Sequence, residues 1–484
     1  MFKRLTALTL TLAMLLGLFA FSNGRAFAQR SVTAAPGAWQ SAILIQNTGT
    51  ASADVTIDFY SKDGGTTPTV SYPTAAIAAG KSVTIFVPSD VTTLAAGQYS
   101  AIISSSSPVI ASVQTSSLAA TTAPWTAFAY EGVGTENTAA KLFFPANYKN
   151  YYGFNSELVI QNTTATATTA TADFYNQAGT KIGSVLLGTI GANQALTYAT
   201  SDTIFADLPS GNSTGIFGAV VTSSGASLAG IVNVWRTTPT NMTGSYNAFT
   251  AGTTTLYAPS LTNNYYGFAS ALTIQNVDQA TDAVVTVTYS NGVTDTTTLK
   301  PNAAFAFYAP ANAKLPSGKV NGSFAAKVTT VGGSIVGQVG YSQPPELNGG
   351  VAIGSYANYN CPPVASASVN IPNMLNNYYA LFTNVTVQNT GATATDITLT
   401  YETGVKWTIT GVAPNGVANF LQLPNVTGNP LATTLKSSLS GVVSSSNAMP
   451  LVAVIQHNTA AGVNGYNPAK LPSDYLHVFT ATPK

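Results

Sequence analysis

Two histidines, one cysteine and 17 acidic residues are the side chains on which acid–base, thiol or metal chemistry would have to rest. His457 and His477 stand 20 positions apart in the last quarter of the chain, outside any carboxylate grouping of the kind a zinc site takes. No Gly-x-Ser-x-Gly elbow supplies a nucleophile that either could activate. Cys361 is the only cysteine, so no internal disulfide forms and each core must hold without a cross-link. Its surroundings, Asn360-Cys361-Pro362-Pro363, read as a loop and its thiol as incidental. Asp58 and Asp173 occupy matching positions, but no Asp-x-Asp-x-Asp-Gly calcium loop is present. Paired carboxylates from distant segments, as glycosidases use them, leave no spacing signature. An enzyme would set one specialised unit apart, and the units of this chain are alike. The expectation is a protein with no catalytic residues, no metal site and no cofactor.

Paired aromatics are the other candidates. Tyr151-Tyr152, Tyr265-Tyr266 and Tyr378-Tyr379 each follow an asparagine at the start of a repeat unit. Such pairs can stack on sugar rings or contact a neighbouring molecule. They can also fill the seam between successive units. The first unit has no predecessor and no pair, only Ala35-Pro36-Gly37-Ala38-Trp39, which favours the seam. Trp39, Phe154, Phe268 and Leu381 share one spacing to the strand that follows and are expected at one equivalent core position.

The elements that position these residues come from an internal repeat. A strand ending in Gln-Asn recurs at Gln46-Asn47, Gln161-Asn162, Gln275-Asn276 and Gln388-Asn389, with the glutamines 115, 114 and 113 residues apart. Before each marker, apolar residues alternate: Ile43 and Ile45, Leu158 and Ile160, Leu272 and Ile274, Val385 and Val387. Period two places each pair on one face of a strand. The opposite face (Leu44, Val159, Thr273, Thr386) is mixed and expected to be part solvated. Asn47, Asn162, Asn276 and Asn389 continue the core phase at the strand end, where an asparagine can bond the backbone of the next turn. A second alternating strand follows, ending at Phe59, Phe174, Tyr289 and Tyr401. Copy three gains one residue in the intervening turn and keeps its phase, as a fixed core face and a free loop require. Towards the end of each copy, two apolar runs joined by Ser, Gly or Asn read as a hairpin, Ala101–Ser104 with 108–113 in the first.

Short strands at this spacing, seven or eight per copy and without a convincing helix, predict an all-β chain of four tandem Ig-like (Greek-key) β-sandwich domains. The expected boundaries are 29–135, 136–250, 251–360 and 361–484, after a signal peptide over 1–28. Lys3 and Arg4, the apolar stretch 5–21 and Ala26-Phe27-Ala28 give that leader its three regions. The mature chain is then expected to start near Gln29, an uncleaved anchor helix being the other reading. Beyond it no apolar run is long enough to span a bilayer as a helix, whereas an outer-membrane barrel would give only a weak signal.

Charged residues make up 7% of the chain and the formal net charge is +1, so no basic patch is available for nucleic acid. The surface is instead rich in uncharged polar groups and has little like-charge repulsion to keep copies apart. The stretches 44–49 with 55–60 and 387–391 with 397–401 resemble the Asn-x-Gly signature of bacterial Ig-like, cell-adhesion-related repeats. That resemblance implies a β-sandwich in a secreted or surface protein. The expected function is a secreted structural or adhesive protein of the cell surface or extracellular matrix. Self-association or a cell-surface polymer or glycan would be its partners. A carbohydrate-binding protein using the loop aromatics, and a fibre subunit donating its C-terminal strand 475–479, are the alternatives.

Overall fold

Alternating Val, Ile and Thr favour extended backbone, because β-branched side chains are stiff at χ1 and pack well on a pleated face. The computed structural model describes residues 38–62, 64–118, 126–238, 241–319, 321–343, 355–376, 378, 381–423, 426–431, 437–459 and 476–484. The leader over 1–28 and Tyr379 lie outside the described residues. What is described is an all-β, multi-domain β-sandwich of antiparallel sheets. Among the described residues, helix is confined to Val87–Asp90 and three 3-10 turns.

The second copy shows the complete unit. Its eight strands are Lys141–Tyr148, Asn155–Asn162, Thr168–Tyr175, Lys181–Ile190, Ala195–Ala199, Ile216–Ser223, Leu228–Arg236 and Met242–Asn247. One sheet runs fourth, third, sixth, first, and the other fifth, second, seventh, eighth. Leu158, Ile160, Phe174, Tyr198 and Val232 fill the space between them. The third and fourth copies repeat this arrangement. In the first copy, Ala38–Asn47 holds the second-strand place, and no described strand holds the first-strand place.

The sixth and seventh strands do not form the expected hairpin. Tyr99–Ser105 pairs with Val55–Ser61, whereas Val109–Leu118 pairs with Ala38–Asn47 in the opposite sheet. The short polar link is therefore an arch between sheets. Turn residues and alternation are the same for an arch and a hairpin, so the pattern alone does not separate them.

The first strand carries a proline in each complete copy: Pro145, Pro259 and Pro372. Proline is tolerated because this strand lies at or near its sheet's edge. The ladder shifts register there against the sixth strand. Backbone freed by the shift is taken up by tyrosines of the last two strands. Tyr246 Oη donates to Ala146 O at 2.6 Å, and Tyr341 and Tyr359 donate to Ser260 O at 2.6 and 2.7 Å.

The four copies close into a ring. Their last strands, Thr126–Glu131, Met242–Asn247, Ser355–Asn360 and His477–Thr480, pack against one another in cyclic order. Register aligns Tyr130, Tyr246, Tyr359 and Phe479, opposite Val113, Val232, Val339 and Ile455. The next residue of each strand joins a cycle of hydrogen bonds. Asn247 Nδ2 donates to Glu131 O at 2.7 Å, Asn360 Nδ2 to Asn247 O at 2.8 Å, and Thr480 Oγ1 to Asn360 O at 2.8 Å. The Thr480 N–H then donates to the Glu131 carboxylate and closes the circle.

Candidate functional site

The marker asparagines hold one constellation in all four copies. Asn276 is fully buried; its Nδ2 donates to Thr281 O at 2.8 Å and Leu299 O at 3.0 Å, and its Oδ1 accepts from Asp278 N–H at 3.1 Å. Asn47 bonds Ala51 O, Ile77 O and Gly49 N–H in the same way. Asn162 and Asn389 do so with Thr166 and Ile190, and with Thr393 and Val412. Each asparagine thus ties the turn after the second strand to the end of the fourth-strand segment. It pins two loops and leaves no free polar atom for a ligand.

Three of the neighbouring glutamines, Gln46, Gln275 and Gln388, face outward from their own sandwich and into a seam between copies. Gln46 Nε2 donates to Gly441 O at 3.4 Å, and Gln388 Nε2 to Ala326 O at 3.5 Å. Gln275 lies against Gly218 so closely that a Cβ added there would sit 2.8 Å from its Nε2. Leu44, Thr273 and Thr386, expected to be part solvated, are buried to 2% exposure or less. The correction has a simple cause: the first strand of the preceding copy covers this face, with Ser368–Asn376 lying against Ala38–Asn47. Between copies four and one, Lys81 Nζ also donates to Glu402 O at 2.6 Å. Between copies one and two, Ser100 Oγ donates to Asn193 O at 2.6 Å.

The tyrosine pairs sit on the loop between first and second strands. Tyr151 stacks on Tyr148 with ring centroids 5.7 Å apart, and Tyr152 meets Tyr151 edge-on at 4.8 Å. Tyr265 and Tyr266 repeat the edge-on contact at 4.8 Å, with Lys319 Nζ 5.8 Å from the Tyr266 ring. These contacts stay within one copy. The outer rings are exposed, Tyr152 by 58% and Tyr266 by 55%. Their backbones are left-handed in both copies, with φ of 49° and 50°, beside Asn150 and Asn264 at 53°. Gly153 and Gly267 follow at 81° and 80°, where a side chain would be strained. Tyr378 is 37% exposed and its backbone bridges Leu381, as Tyr151 bridges Phe154.

Phe154 does cross to the next copy: its ring lies 4.9 Å from Tyr356 and under the Arg236 guanidinium, also at 4.9 Å. It is part-buried, as are Phe268 and Leu381, and Trp39 is exposed, so this shared spacing does not mark a core position.

The chemistry-bearing residues are placed for packing. His457 and His477 face each other across the last two strands of copy four, with ring centroids 6.1 Å apart. Both are buried, and burial pushes their pKa values down to about 4 and about 3. Gln114 Nε2 of copy one donates to His457 Nδ1 at 3.0 Å, which leaves the ring proton on Nε2, aimed at Asn373 O. Cys361 is buried in the core of copy three, its N–H bonded to Gly337 O, and burial raises its thiol pKa. Asp58 accepts from Ser71, and Asp173 from Ser184 and Lys181, as strand-to-strand contacts. Among the described residues, no group of three or more His, Cys, Asp or Glu could hold a metal ion. A shallow groove beside Leu186 and Ile204 has one titratable group in its lining, Asp207. Among the described residues no helix is long and apolar enough to cross a membrane.

Sequence reasoning did not single out the glutamines as seam residues, nor Glu131, Asn247, Asn360 and Thr480 as a cycle. A signal existed for two of the four, since Tyr246-Asn247 and Tyr359-Asn360 share a dipeptide.

No family model and no curated protein matches the chain. Among solved structures it is similar to Thermotoga maritima 1070, at 14% identity over 24% of this chain and 97% of that one, with a TM-score of 0.20. It is also similar to a Streptomyces avermitilis alpha-L-rhamnosidase complexed with L-rhamnose, at 8% identity over 85% of this chain and 53% of that one, with a TM-score of 0.12. Scores this low carry no functional argument.

Proposed function

We propose that this chain is a secreted, non-catalytic structural or adhesive protein of the cell surface or extracellular matrix, acting as a rigid ring that displays tyrosines. The observation that carries this reading is the pair of exposed outer rings, Tyr152 and Tyr266, held in the same left-handed conformation in two copies. A bulky residue at positive φ is costly, and a glycine or asparagine would relieve the strain. Keeping tyrosine there serves contact with something outside the ring. The closed ring supports the reading by fixing the spacing between those contacts, so that several weak ones act together. A sugar polymer is the ligand chemistry that exposed tyrosine faces suit, which makes carbohydrate binding the second reading.

Fractionation of the native host is the direct test. The full chain is expected in the envelope or medium, and envelope retention should fall at least about tenfold in Tyr152→Ala/Tyr266→Ala. Undiminished retention would remove the tyrosines from the mechanism, and a chain confined to the cytoplasm would overturn the whole reading.

A further inference from the structure

The contact that closes the ring is the repeat's own, used once more between copies that no linker joins. The first strand of copy two, Lys141–Tyr148, lies on the second and seventh strands of copy three. That of copy three, Thr255–Tyr265, lies on those of copy four. Ser368–Asn376 of copy four then lies on the same two strands of copy one, Ala38–Asn47 and Val109–Leu118. The glutamines keep the register. Gln388 and Gln46 reach Ala326 O and Gly441 O, which stand opposite Tyr289 and Tyr401 at one position of the repeat. Gln275 meets Gly218, one residue from the equivalent Ala219. Copy four thus receives copy one as copy three receives copy four.

The two sides of this contact differ. The copy-one side carries Leu44 and Gln46, 2% and 1% exposed, with the turn at Gly80, Lys81 and Ser82. The copy-four side carries Glu402, Ser440 and Gly441. Ser440 Oγ donates to Gly80 O at 3.3 Å, and Ser82 Oγ to the Glu402 carboxylate at 3.4 Å, beside the Lys81 bond to Glu402 O. Ala129 of copy one packs into the core cluster of copy four.

A head-to-tail contact of this kind makes a closed ring when its own chain supplies both sides, and an open series when different chains do. An opened ring would bare Leu44 and Ala129 to water, so both sides are driven to be covered again. Neither side depends on which chain supplies the other. A formal net charge of +1 sets no like-charge barrier between copies.

We propose that copy four of one chain also docks on copy one of a second copy of this chain through this same face, so that opened rings join head to tail. The tether favours closure within one chain, acting as an effective concentration on the order of 1 mM. Joining between chains takes over where the protein is crowded to that level or its ring is held open. The inference goes beyond the adhesive reading and does not depend on the tyrosines, which lie on a different loop.

The test uses the full chain, with one substitution on each side of the contact. Leu44 lies outside the core of copy one, so Leu44→Asp disables the copy-one side and spares that sandwich. Ser440→Arg blocks the copy-four side by overrunning Gly80, while Glu402 remains beside the new side chain as its partner. Each variant alone should be an open single chain, with a larger hydrodynamic radius than the wild type in size-exclusion chromatography with light scattering. Mixed at about 0.1 mM each, the two retain one intact pair of sides. They should form a 1:1 complex, at least about tenfold tighter than the self-association of either. The wild type needs no substitution: refolded from urea, it should give two-chain species at about 1 mM and single chains at about 1 µM. Tyr152→Ala/Tyr266→Ala should assemble as the wild type does, which keeps failure of this proposal distinct from failure of the tyrosine reading. Three results would overturn the proposal: no complex in the mixture, single chains alone at both refolding concentrations, or two-chain species formed equally by Leu44→Asp on its own.

Discussion

The facing histidines make stability depend on pH in a calculable way. Both are buried, and their folded-state pKa values of about 4 and about 3 lie below the unperturbed 6.5. A base with a depressed folded pKa binds its proton more readily when unfolded, so stability is complete above pH 6.5 and is lost as pH falls towards the folded value. By pH 5 the unfolded imidazole is almost wholly protonated and the folded one almost wholly neutral, which costs about 2 kcal/mol per histidine. The pair therefore removes about 4 kcal/mol, a sizeable part of the 5–15 kcal/mol that typically holds a domain. Glu131 and Glu157 work the other way. Burial raises both carboxyl pKa values, so the folded state takes up their protons first and gains stability on acidification. The histidine contribution is isolated by comparing the wild type with His457→Gln/His477→Gln. Urea midpoints followed by tryptophan fluorescence at pH 7, 6 and 5 should fall more steeply in the wild type, by about 4 kcal/mol over the range. Parallel slopes, differing by less than about 1 kcal/mol, would refute the argument.

Three further outcomes follow from packing. Asn276→Ala removes three hydrogen bonds and strands two carbonyls beside the core, so a loss of about 2–4 kcal/mol in chemical denaturation is expected, and a near-neutral result would contradict the assigned role. Gly244 lies where copies two and three meet, and a Cβ there would stand 2.5 Å from Asn358 Oδ1 and 2.7 Å from the Tyr356 ring. Gly244→Val should destabilise by about 1–3 kcal/mol in thermal melting and open the segment between those copies to protease. Cys361, buried with its thiol pKa raised, should resist a thiol reagent in the native protein and react fully in urea; fast native labelling would count against the closed core.

The repeat, the phase of its core faces and the turn role of the asparagines are legible in the residues, because period two and side-chain bonding to a turn are local properties. The ring is not, for reasons that particular residues show. Leu44, Thr273 and Thr386 look like a half-wet sheet face, since threonine suits both water and a tight seam between copies. The arch at Ser104–Ser107 carries the residues of a hairpin, and the choice between them is made by where the seventh strand finds its partner. His457 and His477 seem unrelated at 20 positions, yet they face each other because adjacent antiparallel strands bring distant positions together. The tyrosine pairs were expected to fill the seams. In the described copies their named contacts stay at home, and the residue next to the pair, Phe154, makes the crossing.

Closure of the ring also sets how the chain bears load. Copy one rests against copy four through Lys81 and Glu402, Gln46 and Gly441, and Glu131 and Thr480. Tension applied between copy one and copy four therefore reaches this non-covalent seam first. The other three junctions are continuous polypeptide and stay slack until it parts. A pulled molecule should yield one early opening before any sandwich unravels, a built-in fuse whose strength is set by those hydrogen bonds together with the packing of Ser368–Asn376 on Ala38–Asn47.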